Sequence, residues 1–139
     1  MQNKNTFLKA FIKNPLRTGS IIQSSPILAD KMLEKIDFRN ARCIVELGGG
    51  SGIITKKILK KMRKDCILLC FEIEPALAEK LRNIEDSRLI IINDCAEKID
   101  IYLKYHGFQK ADCIVSGLPL ASFPPKISRS ILKTIYTYL

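Results

Sequence analysis

The chain has 139 residues, of which 47% are hydrophobic, and this is enough for one core but too little for two ordinary domains. Its 23 Lys and Arg residues against 14 Asp and Glu give a net charge of +9, a positive field that attracts anions such as nucleic acid or acidic lipid headgroups. No apolar stretch approaches the roughly 20 residues that span a bilayer, and a signal-peptide pattern is absent from the start of the chain, so we expect a soluble or peripheral protein.

The first predicted element is a short amphipathic helix within a basic segment, residues 1–24. Four apolar side chains fall on one face and two lysines on the other, namely Phe7, Leu8, Phe11 and Ile12 against Lys9 and Lys13. Because no acid precedes Asp30, this whole end of the chain is cationic. Two interpretations stay open: the helix lies on an anionic membrane with its apolar face in the interface, or it packs over the domain with a solvated basic face.

Residues 25–139 are predicted to form one α/β domain. Ser25-Pro26 opens a helix as cap and first position. Strand and helix patterns then alternate, which is typical of a parallel sheet covered by helices. The predicted strands are residues 42–47, 66–71, 89–92 and 111–116, and the predicted helices follow Gly52, start at Pro75, cover 96–105 and run from about Lys126.

The cysteines indicate a reducing compartment. They are odd in number and mostly lie inside apolar runs: Cys43, Cys66, Cys70, Cys95 and Cys113. This pattern favours buried thiols over a disulfide framework. We expect no metal site, because His106 is the only histidine and no C-x-x-C pair exists.

A glycine-rich segment, E-L-G-G-G-S-G, lies between the first strand and the helix that follows it. Glycines in such a turn permit positive φ angles and let backbone amides approach a ligand, so we take Gly48, Gly50 and Gly52 as binding residues. Glu46 places a carboxylate at the end of an apolar strand, which is costly without a hydrogen-bonding partner. The structural alternative is a tight turn that only packs helix against strand.

Acidic residues follow the next two strands. Glu72 closes the second strand, in the position from which an acid accepts hydrogen bonds from ribose hydroxyls in Rossmann-like sites. Glu74 is an alternative candidate, but Glu72 directly follows the apolar run. Asp94 and Cys95 follow the third strand, and Asp94 is suited to accept a hydrogen bond from an adenine amino group. Carboxyl ends of parallel strands share one sheet edge, so these acids should converge there. Alternatively, they favour or cap the N-termini of the following helices.

The fourth strand ends in S-G-L-P-L, residues 116–120. Gly117 and Pro119 make a rigid turn at the same edge, and this turn is suited to present backbone carbonyls to an incoming amine. We therefore expect the acceptor to contact Ser116, Gly117, Leu118 and Pro119. The alternative is that the turn is only a loop.

These four motifs, in this order, resemble those of class I S-adenosylmethionine-dependent methyltransferases, whose fold is a Rossmann-like three-layer α/β sandwich. Two groups are similar: the ribosomal RNA adenine dimethylases and the bacterial phospholipid N-methyltransferases. Dimethylases carry N-L-P-Y in the fourth motif, where this chain has Gly117 and Leu120 in place of the asparagine and the aromatic residue. The phospholipid enzymes are similar at G-L-P-L and in the opening F-L-K-A-F-I-K-N-P.

The resemblance implies S-adenosylmethionine as cofactor, with Glu46 and the glycine turn on its methionine part, Glu72 on the ribose and Asp94 on the adenine. It implies methylation of the amine of phosphatidylethanolamine by a cytoplasmic protein attached peripherally to the inner face of the cell membrane. We assign no general base. The alternatives are a ribosomal RNA adenine N6-methyltransferase, which would bind nucleic acid, and a truncated, inactive cofactor-binding remnant.

The resembling fold has further strands after the fourth, so we expect this sandwich to be truncated there. With that family's strand order, residues 111–116 would then lie at an open apolar edge, which is a site for self-association.

Overall fold

The computed structural model describes residues 26–139, with side chains from Ala29 onwards. The predictions for the basic segment 1–24 lie outside the described residues. They include the proposed membrane-contacting side chains Phe7, Leu8, Lys9, Phe11, Ile12 and Lys13.

Helices and strands alternate along the described chain, as the sequence predicts. The helices are α1 (Pro26–Leu33), α2 (Ile53–Lys61), α3 (Pro75–Leu81), α4 (Ile99–Tyr105) and α5 (Pro125–Tyr138). The strands are β1 (Cys43–Leu47), β2 (Ile67–Phe71), β3 (Leu89–Ile92) and β4 (Cys113–Ser116). Short 3-10 helices precede α4 at Ala96–Lys98 and α5 at Leu120–Ser122.

The four strands form one parallel sheet in the order β3-β2-β1-β4. In β1, Glu46 is level with Cys70 of β2 and Val115 of β4. The chain runs outward from β1 to β3 and then returns to add β4 on the other side of β1. This reversal makes the carboxyl ends of β1 and β4 the topological switch point, where α/β sheets bind ligands.

Different helices cover the two faces of the sheet, which completes a three-layer α/β sandwich. Alternate residues of β1 point to opposite faces, so that Ile44 and Val45 belong to different clusters. On the Ile44 face, α1 and α2 bury Ala29, Leu33, Ile54, Ile58 and Leu59. On the Val45 face, α4 and α5 bury Ile99, Leu103 and Ile131.

The start of β4 differs from the prediction. The sequence predicts that the strand begins at Ala111, but the amide of Ala111 donates to the carbonyl of Tyr138 at 2.7 Å, so this residue is bonded to the end of α5. Asp112 lies beside the start of β1, where its Oδ2 accepts from the amides of Arg42 (2.7 Å) and Cys43 (2.9 Å). The strand β4 therefore begins at Cys113 and not at residue 111, and β1 begins at Cys43 and not at residue 42.

An arginine fixes the C-terminal end of α2. The guanidinium of Arg88 donates to the carbonyls of Leu59 at 2.8 Å and Met62 at 3.0 Å, and it pairs with Asp86 at 2.7 Å. Carbonyls at a helix C-terminus have no partner within the helix, so a side-chain donor there stabilises it. Because α2 begins at the glycine turn, the same contacts hold the helix that carries the turn.

Between Pro26 and Leu139, none of the helices combines the length and the apolar character that crossing a bilayer requires.

Candidate functional site

The glycine turn after β1 has the left-handed backbone that its sequence predicts. The φ angles are +76° at Gly48, +55° at Gly50 and +85° at Gly52, which is the N-cap of α2. The amide of Gly48 donates to the carbonyl of Phe71 at 2.7 Å, and that of Gly50 donates to Oε1 of Glu72 at 2.9 Å. These amides, which the sequence suggested would face a ligand, are thus bonded to the end of β2.

Packing explains the glycines at the start of the turn. A Cβ on Gly49 would lie 2.5 Å from the Cys70 sulfur, and one on Gly48 would lie 2.8 Å from Cδ2 of Leu118. A Cβ on Gly50, by contrast, would meet nothing within 4 Å. Gly50 is therefore the point of the turn at which another molecule can approach the backbone closely.

Glu46 lies beneath the turn and not in an open cleft. Its side chain is 0% exposed, and Oε1 accepts a 2.6 Å hydrogen bond from the hydroxyl of Thr55 in the first turn of α2. Among the described residues its Oε2 has no hydrogen-bond partner. Burial raises the pKa of Glu46 to about 7, because the Thr55 bond only partly offsets the loss of solvent. The structure thus gives Glu46 a contact with α2, and its contact with a cofactor stays a prediction.

Glu72 orders the loops on both sides of it. Oε1 accepts from the amide of Gly50 and Oε2 from that of Glu74, each at 2.9 Å. Burial raises its pKa despite these bonds. Glu72 is only 3% exposed, and its contact with a ribose hydroxyl stays a prediction. The competitor Glu74 is instead the N-cap of α3, without a side-chain capping bond.

Asp94 is bonded to the helix that follows it in the chain. Its carboxylate accepts from the amide of Cys95 at 2.7 Å, the hydroxyl of Tyr102 at 2.8 Å and the ammonium of Lys98 at 3.3 Å. Burial alone would raise the pKa of Asp94, but these donors outweigh it and lower the pKa. Cys95 itself is buried, and burial raises the pKa of its thiol. The carboxylate of Asp94 is therefore held against α4 by Tyr102, and its bond to adenine stays a prediction.

The predicted acceptor loop, Ser116 to Pro119, lies directly against the glycine turn. The amide of Gly117 donates to the carbonyl of Leu47 at 2.8 Å, and a Cβ on Gly117 would lie 3.0 Å from the carbonyl oxygen of Gly48. Ser116 accepts from the amide of Leu118 at 3.3 Å, and Pro119 leads into the 3-10 helix. The structure thus brings Ser116 to Pro119 beside the turn at the topological switch point.

Three side chains at this edge were not assigned from the sequence. The hydroxyl of Thr55 donates to Glu46, and that of Tyr102 donates to Asp94. The side-chain amide of Asn93 donates to the carbonyls of Glu72 (2.8 Å) and Ile73 (3.0 Å). Asn93 joins the ends of β2 and β3, so it fixes the distance between the two acidic positions. Its place directly after a strand was the available signal.

Solved structures of methyltransferases share this fold. An O-methyltransferase from Bacillus cereus, in complex with SAH, gives a TM-score of 0.64 at 17% identity, covering 96% of this chain and 63% of its own. An O-methyltransferase from Streptomyces achromogenes involved in tomaymycin synthesis, in complex with SAM, gives 0.61 at 17% identity, covering 96% and 61%. The parallel sheet and its helices therefore have the fold of this class of methyltransferase.

Within that class, the chain belongs to the ribosomal RNA adenine dimethylase family, which it matches over residues 7–137. It is 35% identical over 132 residues to the ornithine lipid N-methyltransferase of Singulisphaera acidiphila, covering 93% of this chain and 68% of the relative. It is 27% identical over 120 residues to the dimethyladenosine transferase of Yarrowia lipolytica, covering 79% and 37%. The chain thus corresponds to only part of either relative.

S-adenosylmethionine is the cofactor of this class, and the described residues fit it. The turn leaves open space at Gly50, and the carboxylate of Glu72 lies beside it, within hydrogen-bond distance of the Gly50 amide. Asp94 lies at the end of the neighbouring strand with its side chain 20% exposed. An open backbone turn flanked by two carboxylates suits a ligand with ribose hydroxyls and an exocyclic amine.

Proposed function

We propose that this chain is an N-methyltransferase that transfers a methyl group from S-adenosylmethionine to the amine of a membrane lipid, with phosphatidylethanolamine as the acceptor. A lipid acceptor is supported by the similarity to an ornithine lipid N-methyltransferase at 35% identity. The similarity alone does not decide between lipid and RNA, because the ribosomal RNA adenine dimethylase family and a probable ribosomal RNA methyltransferase also match.

The observation that carries the proposal is the backbone contact between the acceptor loop and the glycine turn. Dimethylases have an asparagine where this chain has Gly117, and a Cβ there would lie 3.0 Å from the carbonyl oxygen of Gly48. The loop therefore offers backbone groups and no side-chain amide at this point. Leu120 replaces the aromatic residue, so the loop also lacks a ring on which a base would stack. A small alkyl amine needs neither contact.

The residues of the sheet edge act by alignment. The cofactor supplies a methyl group that is already activated on a sulfonium, so placing the amine in line with it is the main requirement. Glu72 would hold ribose hydroxyls, Asp94 the adenine amine, and the glycine turn the methionine part. The loop from Ser116 to Pro119 would hold the amine through its backbone carbonyls. The acceptor amine must lose a proton from its alkylammonium form before it can react.

The same proposal places the protein on the inner face of the cell membrane. Residues 1–24 carry the apolar side chains Phe7, Leu8, Phe11 and Ile12 together with Lys9 and Lys13. Such a segment binds anionic lipid through apolar burial and charge together. The double variant Phe11→Asp with Lys13→Glu should release the protein from anionic vesicles in co-sedimentation, and retention would contradict this role of the segment.

The deciding experiment offers both acceptors to the same preparation. The protein is incubated with methyl-labelled cofactor and either vesicles containing phosphatidylethanolamine or ornithine lipid, or protein-free ribosomal RNA. We expect label in the lipid fraction alone. Label in RNA alone would replace the proposal by an adenine N6-methyltransferase, the second candidate, which the family match favours. Binding of S-adenosylhomocysteine without transfer to either acceptor would indicate an inactive cofactor-binding protein.

A further inference from the structure

The large apolar side chains that are exposed in the described part of the chain occur in one layer of the sandwich. On α4, Ile101 is 57% exposed and Tyr105 is 83% exposed. On α5, Leu132 is 39% exposed and Tyr136 is 79% exposed. Both helices cover the Val45 face of the sheet, so these side chains lie on the outer side of one helix layer, which we call the α4–α5 face.

The α5 part of this face is also cationic, whereas α4 carries both Asp100 and Lys104. Lys126, Arg129 and Lys133 are exposed on α5, spaced three or four residues apart, so they lie along one side of the helix with Tyr136. No acid occurs in the sequence after Asp112, so α5 carries no compensating charge. A solvated helix face usually mixes both signs of charge, whereas this one joins cations to exposed apolar and aromatic groups.

An apolar recess lies beside this face, next to α4. It has a volume of about 540 Å³ and is lined by four isoleucines, three aromatic rings, an amide and a cation: Ile90, Ile91, Ile92, Ile101, Tyr102, Tyr105, His106, Asn93 and Arg82. An alkyl chain with an anionic head fits such a lining, because the isoleucines offer apolar contact and Arg82 a positive charge.

The α4–α5 face is also connected to the acceptor loop. The hydroxyl of Ser128, in the first half of α5, donates to the carbonyl of Leu120 at 2.5 Å. The 3-10 helix that begins at Leu120 follows Pro119 directly. A surface that binds along α5 is therefore held next to the loop that we propose for the amine.

We infer that the α4–α5 face is a docking surface for an anionic lipid bilayer. Ile101, Leu132 and the two tyrosines enter the interface, while the cations of α5 contact headgroup phosphates. The inference rests on the proposed lipid acceptor, but it concerns a different surface from residues 1–24. The exposed aliphatic side chains Ile101 and Leu132 favour a bilayer over RNA, because they offer a base no hydrogen bond and no stacking plane, whereas the two tyrosines suit either partner.

The test compares two variants of equal net charge in the full chain. Arg129→Gln with Lys133→Gln removes two cations from the α4–α5 face. The control, Lys60→Gln with Lys64→Gln, removes two exposed cations at α2, on the opposite face of the sheet. Binding to phosphatidylglycerol vesicles and to neutral phosphatidylcholine vesicles is measured by co-sedimentation. Each surface cation adds about 1 kcal/mol to anionic membrane binding, so the first variant should bind phosphatidylglycerol roughly 30-fold more weakly, and the control should bind nearly as wild type.

Equal losses in the two variants would overturn the inference, because they would show that only the overall charge matters. Unchanged binding in the first variant would overturn it as well. A loss of RNA binding without a loss of vesicle binding would assign the face to nucleic acid instead. Leu132→Ser with Tyr136→Ser provides a second test, since it should weaken vesicle binding at unchanged charge.

Methyl transfer to detergent-dispersed lipid separates this inference from the proposed function. Dispersed lipid needs no docking, so the α5 variants should methylate it at the wild-type rate while losing activity on vesicles. If the wild-type protein methylates no lipid in either form, the proposed function fails. If it methylates both and the α5 variants lose neither activity, only the docking surface fails.

Discussion

Replacing Glu46 by glutamine tests the carboxyl group that lies buried beneath the glycine turn. Burial raises the pKa of Glu46 from 4.5 to about 7. Between these two values the folded chain keeps a proton on Glu46 that the unfolded chain has released. Unfolding therefore releases a proton in this window, and the free energy of unfolding falls as the pH rises through it. Below pH 4.5 and above about pH 7 this residue adds no pH dependence.

The size of the effect follows from the width of that window. Each pH unit is worth about 1.4 kcal/mol, so between pH 4.5 and about pH 7 the wild type should lose about 3 kcal/mol relative to a chain that cannot ionise at this position. Glutamine has nearly the same shape and is neutral at every pH. Any fixed cost of fitting its amide beside Thr55 shifts the whole curve equally, so only the slope carries the information.

Urea unfolding followed by circular dichroism between pH 4.5 and pH 8 measures this slope. The difference in unfolding free energy between Glu46→Gln and wild type should grow with pH, in favour of the variant, and then level off above about pH 7. The surface variant Glu85→Gln is the control, and its curve should stay parallel to that of wild type. Parallel curves for Glu46→Gln as well would refute the reasoning, because they would show that Glu46 ionises normally and reaches solvent.

Three further predictions concern the turn, its carboxylate and the arginine at the end of α2. Gly50→Ala and Gly107→Ala both place a side chain at positive φ in open space, at +55° and +85°, and each should cost about 1–2 kcal/mol of stability. Only Gly50→Ala should weaken S-adenosylhomocysteine binding in calorimetry. Equal affinities of the two variants would remove Gly50 from the site. Glu72→Ala leaves the amides of Gly50 and Glu74 without their acceptor, so affinity should fall more than tenfold, about 1.4 kcal/mol; unchanged affinity would contradict the ribose assignment. Arg88→Gln should lower the unfolding free energy by about 2–3 kcal/mol in urea titration while leaving affinity nearly unchanged, and an unaltered midpoint would show that its carbonyl contacts are not formed in solution.

The fold was largely predictable because central parallel strands are nearly continuous apolar runs. Residues 66–71 were predicted as a strand, and the structure has β2 at Ile67–Phe71. The predicted ends of the strands were less accurate. Ala111 was placed in β4, yet its amide is bonded to Tyr138, and a contact so far along the chain leaves no mark on the local pattern.

The closeness of the glycine turn to Glu72 and to Gly117 follows from strands that end at one sheet edge, but the contacts of each side chain do not follow from the sequence in the same way. The alternation of a strand places Glu46 on the same face as Ile44, beneath α2, so its contact with Thr55 had a signal in the sequence. The bonds from Glu72 to the amides of Gly50 and Glu74 had none, since they depend on the path of two irregular loops. Whether these residues bind the cofactor stays a prediction.

The contact between Gly117 and Gly48 also means that the acceptor loop and the glycine turn cannot be altered independently. An asparagine introduced at position 117 would place its Cβ 3.0 Å from the carbonyl oxygen of Gly48, so one of the two loops would have to shift slightly to receive it. The same shift would disturb the glycine turn. A substitution made in the loop that we propose for the acceptor would therefore also be felt at the turn that we propose for the cofactor.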